Sequence, residues 1–278
     1  MSRCKGIAQG AFGRAALLEI DRPIVGHAHP HCHVLVKISG ADSFFRVRGR
    51  DYPLDDASAV VVNSWEPHGY PRAPAQGAAV ILALYIRTAW LEEVEPTFAV
   101  CDNPDFFAQT GFALPAAVRA RAQDLADALT APSPADRAFE ALMGEAMIAV
   151  IDRFSRWREL RGSRMTGHRR IPDFRIRRAI SFLHDHIGYG FTADDIARAA
   201  GLSRPHLYTL FKHHTGLTPN VYYGALRMES AFADLPDAEP SIAAISSKLG
   251  FRAQGHFTRF FRNNLGISPR EYRNLLHQ

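Results

Sequence analysis

Cysteine is scarce in this chain of 278 residues, and the three present, Cys4, Cys32 and Cys101, are too scattered for a disulfide framework. That excludes a disulfide-stapled scaffold and points to a reducing compartment. Long apolar runs are missing too. The longest, Ala78 to Ile86, is far short of a membrane span and reads as a buried strand. No apolar core follows the basic residues at the N-terminus, so no secretory signal is expected, and the chain is placed in the cytoplasm without a membrane partner. Charge of one sign is lacking before residue 168. Lys and Arg number 33 against 28 Asp and Glu, but His168 to Gln278 holds 15 against 9, leaving residues 1–167 near −1. A basic module joined to a near-neutral one fits a nucleic-acid reader carrying a second domain.

Residues 1–100 have the pattern of an all-β domain. Short β-branched or aromatic runs (Val34–Ile38, Phe44–Val47, Ala59–Val62, Ala78–Ile86) are separated by turn signals such as Ser39-Gly40, Arg48-Gly49 and Pro53. The period then changes. Pro115 opens a helix to Leu129 with Val118, Ala122, Leu125 and Leu129 on one stripe, and Thr130 to Pro134 makes a turn. A second helix carries Phe139, Leu142, Met143, Met147, Val150, Ile151 and Phe154 at spacings of three and four. These stripes can pack on the sheet domain or form the seam of a homodimer, and the seam is the preferred expectation. The basic, glycine-bearing stretch 161–172 is the expected linker.

The remainder contains one design twice. Ile196-Ala-Arg-Ala-Ala-Gly201-Leu-Ser203, His206-Leu207, Phe211-Lys212, Gly216, Thr218-Pro219 and Tyr222 recur as Ile245 to Gly250, His256-Phe257, Phe261-Arg262, Gly266, Ser268-Pro269 and Tyr272. The offset is 49 up to the glycine and 50 from the histidine onward. Each copy reads as a helix, a glycine turn, a second amphipathic helix and a capped third start, which is a helix-turn-helix. Thr192 to Asp195 reads as a capping box, Gly201 as a left-handed helix end, and Ser203 as the cap of the helix holding Pro205. In that helix Leu207, Leu210 and Phe211 point inward, leaving Arg204, His206, Tyr208, Thr209 and Lys212 outward. The second copy buries Phe257, Phe260 and Phe261 and offers Gln254, Gly255, His256, Thr258, Arg259 and Arg262. A helix from Pro219 to about Ala233 joins the copies, so two probes on one face can enter successive major grooves about 34 Å apart.

These residues, with Leu226-Arg227, Phe251 and Arg273, resemble the AraC/XylS family of transcription regulators over about residues 174–274. The resemblance implies base-edge contacts at Pro205, Tyr208 and Thr209 and at Gln254, Gly255, Thr258 and Arg259. It also implies promoter DNA and RNA polymerase as partners, with activation as the usual outcome. Tyr208 and Thr209 favour thymine methyls, so Gln254 and Arg259 are expected to discriminate sequence more strongly. Lys212, Arg262 and Arg227 are expected at phosphates. Arg252-Ala253 stands where a capping Ser or Asp is usual, so a cap worth about 1 kcal/mol is expected to be missing.

Five of the 13 histidines, His27, His29, His31, His33 and His68, are the only ones before residue 168. His27-x-His29-x3-His33-x6-Gly40 resembles the first cupin motif, with His33 in place of its glutamate. Asn63-x-Trp65-x2-His68 resembles the second, with Asn and Trp in place of its Pro and Gly. His27, His29, His33 and His68 are therefore candidate ligands for Zn²⁺, Ni²⁺ or Fe²⁺. The same residues with Lys37 make an alternative metal-free pocket for a small, anionic effector, and a cluster without function is the third reading. Strand alternation keeps 27 to 33 on one side only if Pro30 leaves it intact. Arg46, Arg48 and Arg50 read as charges guarding a strand edge.

The expectation is thus an α+β chain of two domains. Residues 1–160 form a cupin-like β-barrel (about 1–100) with following helices (about 113–160), for effector binding and dimerisation. Residues 173–278 form an all-α domain of two helix-turn-helix motifs. The leading role is a ligand-responsive transcription regulator rather than an enzyme. The rivals are a cupin-type metalloenzyme fused to a DNA-binding module and a constitutive DNA-binding protein with an inert dimerisation barrel.

Overall fold

A computed structural model describes residues 3–75, 77–131, 136–161, 171 and 173–277. Two compact units emerge, one of residues 1–26, 30–169 and 274–278 and one of residues 27–29 and 170–273. The expected linker lies outside the described residues apart from positions 161 and 171, as does most of the expected turn after Thr130.

The strands of the first unit are β1 (Arg3–Gly10), β2 (Gly13–Ile20), β3 (Ile24–His27), β4 (Cys32–Gly40), β5 (Ser43–Val47), β6 (Arg50–Leu54), β7 (Ser58–Val62), β8 (His68–Tyr70), β9 (Ala79–Ile86) and β10 (Gly111–Ala113). They form a six-stranded sheet ordered β1-β2-β9-β4-β7-β10 and a four-stranded sheet ordered β3-β8-β5-β6. A closed barrel was expected; two separate ladders are found. Proline explains part of the break. Pro23 and Pro30 bracket β3, and Pro67 and Pro71 bracket β8. Each removes an N–H that a longer ladder would need, and these strands stop at four and three residues.

The apolar run of β9 is buried throughout because both of its faces are covered. On one face Val80, Leu82, Leu84 and Ile86 join Val34 and Val36 of β4 in a core closed by α2 (Ala116–Thr130) and α3 (Asp136–Phe154). Val118, Ala122, Leu125 and Leu129 of α2 and Phe139, Met143, Met147, Val150 and Ile151 of α3 are all buried there. The stripes expected to form a dimer seam are therefore spent inside the chain. Among the described residues of these helices, Ile148 alone is a well-exposed large apolar side chain. The opposite face of β4 carries His33, Leu35 and Lys37, as the period of two requires. All three cysteines are free thiols, and burial pushes the Cys32 thiol up to about 12.

α1 (Thr88–Val94) and α4 (Trp157–Arg161) complete the first unit. The second part consists of α5 (Phe174–Asp185), α6 (Ala193–Ala200), α7 (Arg204–Thr215), α8 (Pro219–Asp234), α9 (Ile242–Lys248), α10 (Gln254–Leu265) and α11 (Pro269–Leu276). The start and stop signals act as the sequence suggests. Thr192 and Asp195 form a capping box at α6, and the helix ends at Gly201 with φ +68°. Thr218 caps α8 by accepting from the Val221 N–H, and Ser268 and Glu271 bond reciprocally at α11. Ser203 occupies the cap position of α7 without a side-chain bond. Pro205, at the second helical position, removes one of the two N–H groups its hydroxyl would serve.

Candidate nucleic-acid interface and histidine group

α7 and α10 are the second helices of the two repeats, each 12 residues long. Their burial agrees position by position. Leu207, Phe211 and Thr215 are buried in one, and Phe257, Phe261 and Leu265 in the other, at an offset of 50. The exposed positions likewise match: Arg204, Pro205, His206, Thr209 and Lys212 correspond to Gln254, Gly255, His256, Arg259 and Arg262. Tyr208 and Thr258 are half-buried at the rim of each face, as are Leu210 and Phe260, which the sequence placed fully inside. The core side of each helix is thus fixed by the same apolar spacing, while chemistry on the outer side is free to differ. The first face presents cations at its two ends, Arg204 and Lys212, around small or aromatic groups. The second presents an amide followed by two guanidinium groups, at Gln254, Arg259 and Arg262.

Local bonds restrain part of the first face. Tyr208 donates to Asn220 Oδ1 at 3.4 Å, and Thr209 donates to the Pro205 carbonyl at 3.1 Å. A Cβ built on Gly255 would meet nothing within 4 Å, so no steric demand keeps glycine there. Ala253, in extended backbone at φ −152°, provides no side-chain cap for α10, as its sequence implies. Ala253→Ser should therefore raise the stability of the C-terminal helices by about 1 kcal/mol in urea unfolding followed by circular dichroism. An unchanged midpoint would mean that the first-turn N–H groups of α10 are already satisfied.

Arg227 departs from its expected place at a phosphate. Its guanidinium is half-buried, lies 3.5 Å from the centre of the Phe251 ring and donates through Nε to the Leu249 carbonyl at 2.9 Å. Burial lowers its pKa from the ordinary arginine value.

β3 ends at His27 and β4 begins at Cys32, so Pro30 does break the alternation, and His27, His29 and His33 do not share one strand. His27, His29 and His68 nevertheless come together, with one ring nitrogen from each lying within 4.8 Å of the others. His68 is held by its Nδ1, 2.6 Å from the Glu66 carbonyl. The same residue's carboxylate accepts from the Asn63 N–H at 2.9 Å and pairs with Arg48. Asn63 also exchanges two hydrogen bonds with the Phe107 backbone, at 2.8 and 3.2 Å. Trp65, standing where the cupin motif has glycine, adopts φ +61°, so a glycine-like backbone is kept without glycine.

His33 lies outside that trio. Its ring stacks on Tyr85 at 4.2 Å, its ladder neighbour on β9, and sits 5.3 Å from the His68 ring. Lys37 is buried at 4% exposure, paired with Asp42 and with Asp56 at 3.2 Å, so an anionic ligand there would have to displace a carboxylate. His31 is buried but not part of the group. Sequence reasoning missed Asn63 and Glu66 as supports. Their signal was proximity: both lie within five residues of His68.

The helix-turn-helix domain family matches residues 196–275. The transcriptional activator RhaS of Escherichia fergusonii is 37% identical over 101 residues, 36% of this chain and 36% of that protein. This chain therefore covers only about a third of such curated relatives. A solved transcriptional regulator with an AraC-type DNA-binding domain, from Chromobacterium violaceum, is 36% identical across 37% of this chain and 93% of that one, with a TM-score of 0.35. Wild-type ToxT of Vibrio cholerae, solved with an unsaturated fatty acid bound, covers 99% of this chain and 95% of its own at a TM-score of 0.53 and 10% identity. That last likeness is one of fold. No described helix is long and apolar enough to cross a membrane.

Proposed function

We propose, for a chain whose residues 196–275 match a helix-turn-helix domain family, the role of a ligand-responsive, sequence-specific transcription regulator of the AraC type. The observation that carries it is the matched burial of α7 and α10, which presents two equivalent outer faces of different chemistry on one polypeptide. In this reading α7 and α10 enter successive major grooves of promoter DNA. Gln254 and Arg259 read base edges, with Pro205, Tyr208, Thr209, Gly255 and Thr258 along the same surfaces. Arg204, Lys212 and Arg262 hold phosphates. The proposed setting is the cytoplasm, where a homodimer contacts RNA polymerase and activates transcription.

Selection from a random duplex pool tests this. Wild-type protein should enrich a bipartite site whose two elements lie about one helical turn, about 10 bp, apart. Arg259→Ala should lose about 1–3 kcal/mol of affinity for that site while binding random DNA as before. No enrichment, or a single element only, would overturn the reading. Equal loss on random DNA would move Arg259 to a phosphate.

For the signal, we propose a divalent transition metal held by His27, His29 and His68. The donor set fits: three imidazoles are already clustered, and the carbonyl 2.6 Å from Nδ1 orients the His68 ring. A bound metal would supply a charged crosslink between β3, the segment after it and β8. Binding would matter for DNA only by favouring one arrangement of the protein over another. A small organic ligand, as in ToxT, is the alternative signal, and the shared fold alone does not carry it here.

A further inference from the structure

We infer that Arg227 is a positioning residue for the second recognition helix, acting through a cation–π clamp that the first repeat lacks. The inference rests on the DNA-reading role proposed for α10.

Arg227 stands on α8, the helix between the two repeats. Besides the Phe251 ring beneath it, its guanidinium lies 5.4 Å from the Tyr223 ring and 5.6 Å from the Phe260 ring. Phe251 in turn touches two rings of α10, Phe257 at 5.4 Å and Phe260 at 5.2 Å. A continuous path therefore runs from α8 through the guanidinium to the turn after α9, and from that turn into the recognition helix. The bond from Arg227 to the Leu249 carbonyl fixes the end of α9 on the same side chain. α10 has no side-chain cap to set its own start, so this clamp is the side-chain restraint that reaches that end from α8. Planarity matters: a guanidinium can lie flat on Phe251 and still direct Nε at a carbonyl, which an ammonium on a flexible stem does less well.

The first repeat supplies the comparison. Ile176, Ala179 and Leu183 on α5 occupy the positions of Ala225, Met228 and Phe232 on α8, at an offset of 49, and all six are buried. By that register Arg178 corresponds to Arg227, Leu202 to Phe251, and Leu210 to Phe260 at 50. Leucines have replaced the aromatic platform, and Arg178 is exposed. The same sequence position is thus a solvated cation in one copy and a clamp in the other.

Full-length Arg227→Ala, Arg227→Lys and Arg178→Ala decide the matter on the duplex selected by the wild-type protein. Arg227→Ala should weaken binding about tenfold or more, with the α10 element losing its footprint and the α7 element keeping it. The lysine variant should fall between, and Arg178→Ala should leave the α10 footprint intact. Salt dependence should be unchanged in Arg227→Ala, because no phosphate contact is removed. Amide exchange measured without DNA should quicken at residues 249–257 in both Arg227 variants and stay unchanged in α7. That arm stands even if selection yields no site, so failure of the DNA-reading role and failure of the clamp are distinguishable. Uniform weakening of both elements with a salt slope smaller by about one would make Arg227 a phosphate contact and overturn the proposal. So would unchanged exchange. Should the alanine variant not fold, the lysine variant carries both readouts.

Discussion

Gly188→Ala should destabilise the C-terminal helices by about 2–4 kcal/mol and abolish specific DNA binding, while Gly190→Ala, two residues on, should change stability by less than about 1 kcal/mol. Gly188 has φ +86°, and a Cβ there would lie 1.9 Å from the Lys248 carbonyl oxygen. The obstacle is backbone, at the end of α9, so no rotamer change relieves it. Gly250 sits just beyond, with φ +73°, and its own Cβ would come within 2.6 Å of the Gly188 carbonyl oxygen. Tyr223 ties the same loop to α8, donating to the His186 carbonyl and accepting from the Gly188 N–H, both at 3.3 Å. Added bulk at Gly188 must therefore push the loop after α5 away from the turn that leads into α10. Gly190 meets nothing within 4 Å. The measurement separates the units, because Trp65, Trp90 and Trp157 all lie in the first. Helical circular dichroism should melt earlier in Gly188→Ala, while the tryptophan fluorescence transition stays in place. Identical midpoints for the two glycine variants would show that the loop yields without cost.

The C-terminal half was legible because its signals are local and repeated. A capping box, left-handed glycines and apolar residues at spacings of three and four specify each helix within a few residues of sequence. The second copy then checks the first. Which exposed cations face outward was only partly legible. Arg262 and Lys212 stay on the outer faces, but Arg227 turned inward, since nothing in its own heptad announces that Phe251 and Phe260 will stack around it. That contact joins residues separated by the α9 turn and depends on packing, which periodicity does not encode.

The N-terminal half was harder to read for the opposite reason. Alternation along each strand identified the runs and separated His33 and Lys37 from Val34 and Val36. It could not say which strands pair, and the expected barrel proved to be two ladders. The apolar stripes of α2 and α3 looked equally suited to a partner chain or to a sheet. Only the three-dimensional packing shows the sheet taking them. Motif spacing found the histidines, but their grouping depends on the break at Pro30, which releases His29 from the β ladder and lets it meet His27 and His68.

That grouping sets the last expected result: His29→Ala/His68→Ala should purify with no bound metal after incubation with Zn²⁺, Ni²⁺ or Fe²⁺, whereas wild type holds about one ion per chain. Removing two of three imidazoles leaves a single ligand, too few for any of these ions at protein concentrations in the micromolar range. His33→Ala should keep its metal, because His33 is stacked on Tyr85 outside the trio. Glu66→Ala should weaken binding about 10–100-fold, since the Glu66 carboxylate, through the Asn63 N–H and Arg48, holds the segment whose carbonyl orients the His68 ring. Acidification should release the ion, because imidazole binds metal only as the neutral base. Elemental analysis gives the stoichiometry. Thermal unfolding gives an independent reading, as metal at about 100 times its Kd should stabilise the wild-type protein by about 2.7 kcal/mol and the double variant not at all. Equal metal in wild type and double variant would remove this site from consideration. Loss of metal in His33→Ala alone would shift the ligand set onto β4 and return the site to the four-histidine arrangement that the motif spacing implied.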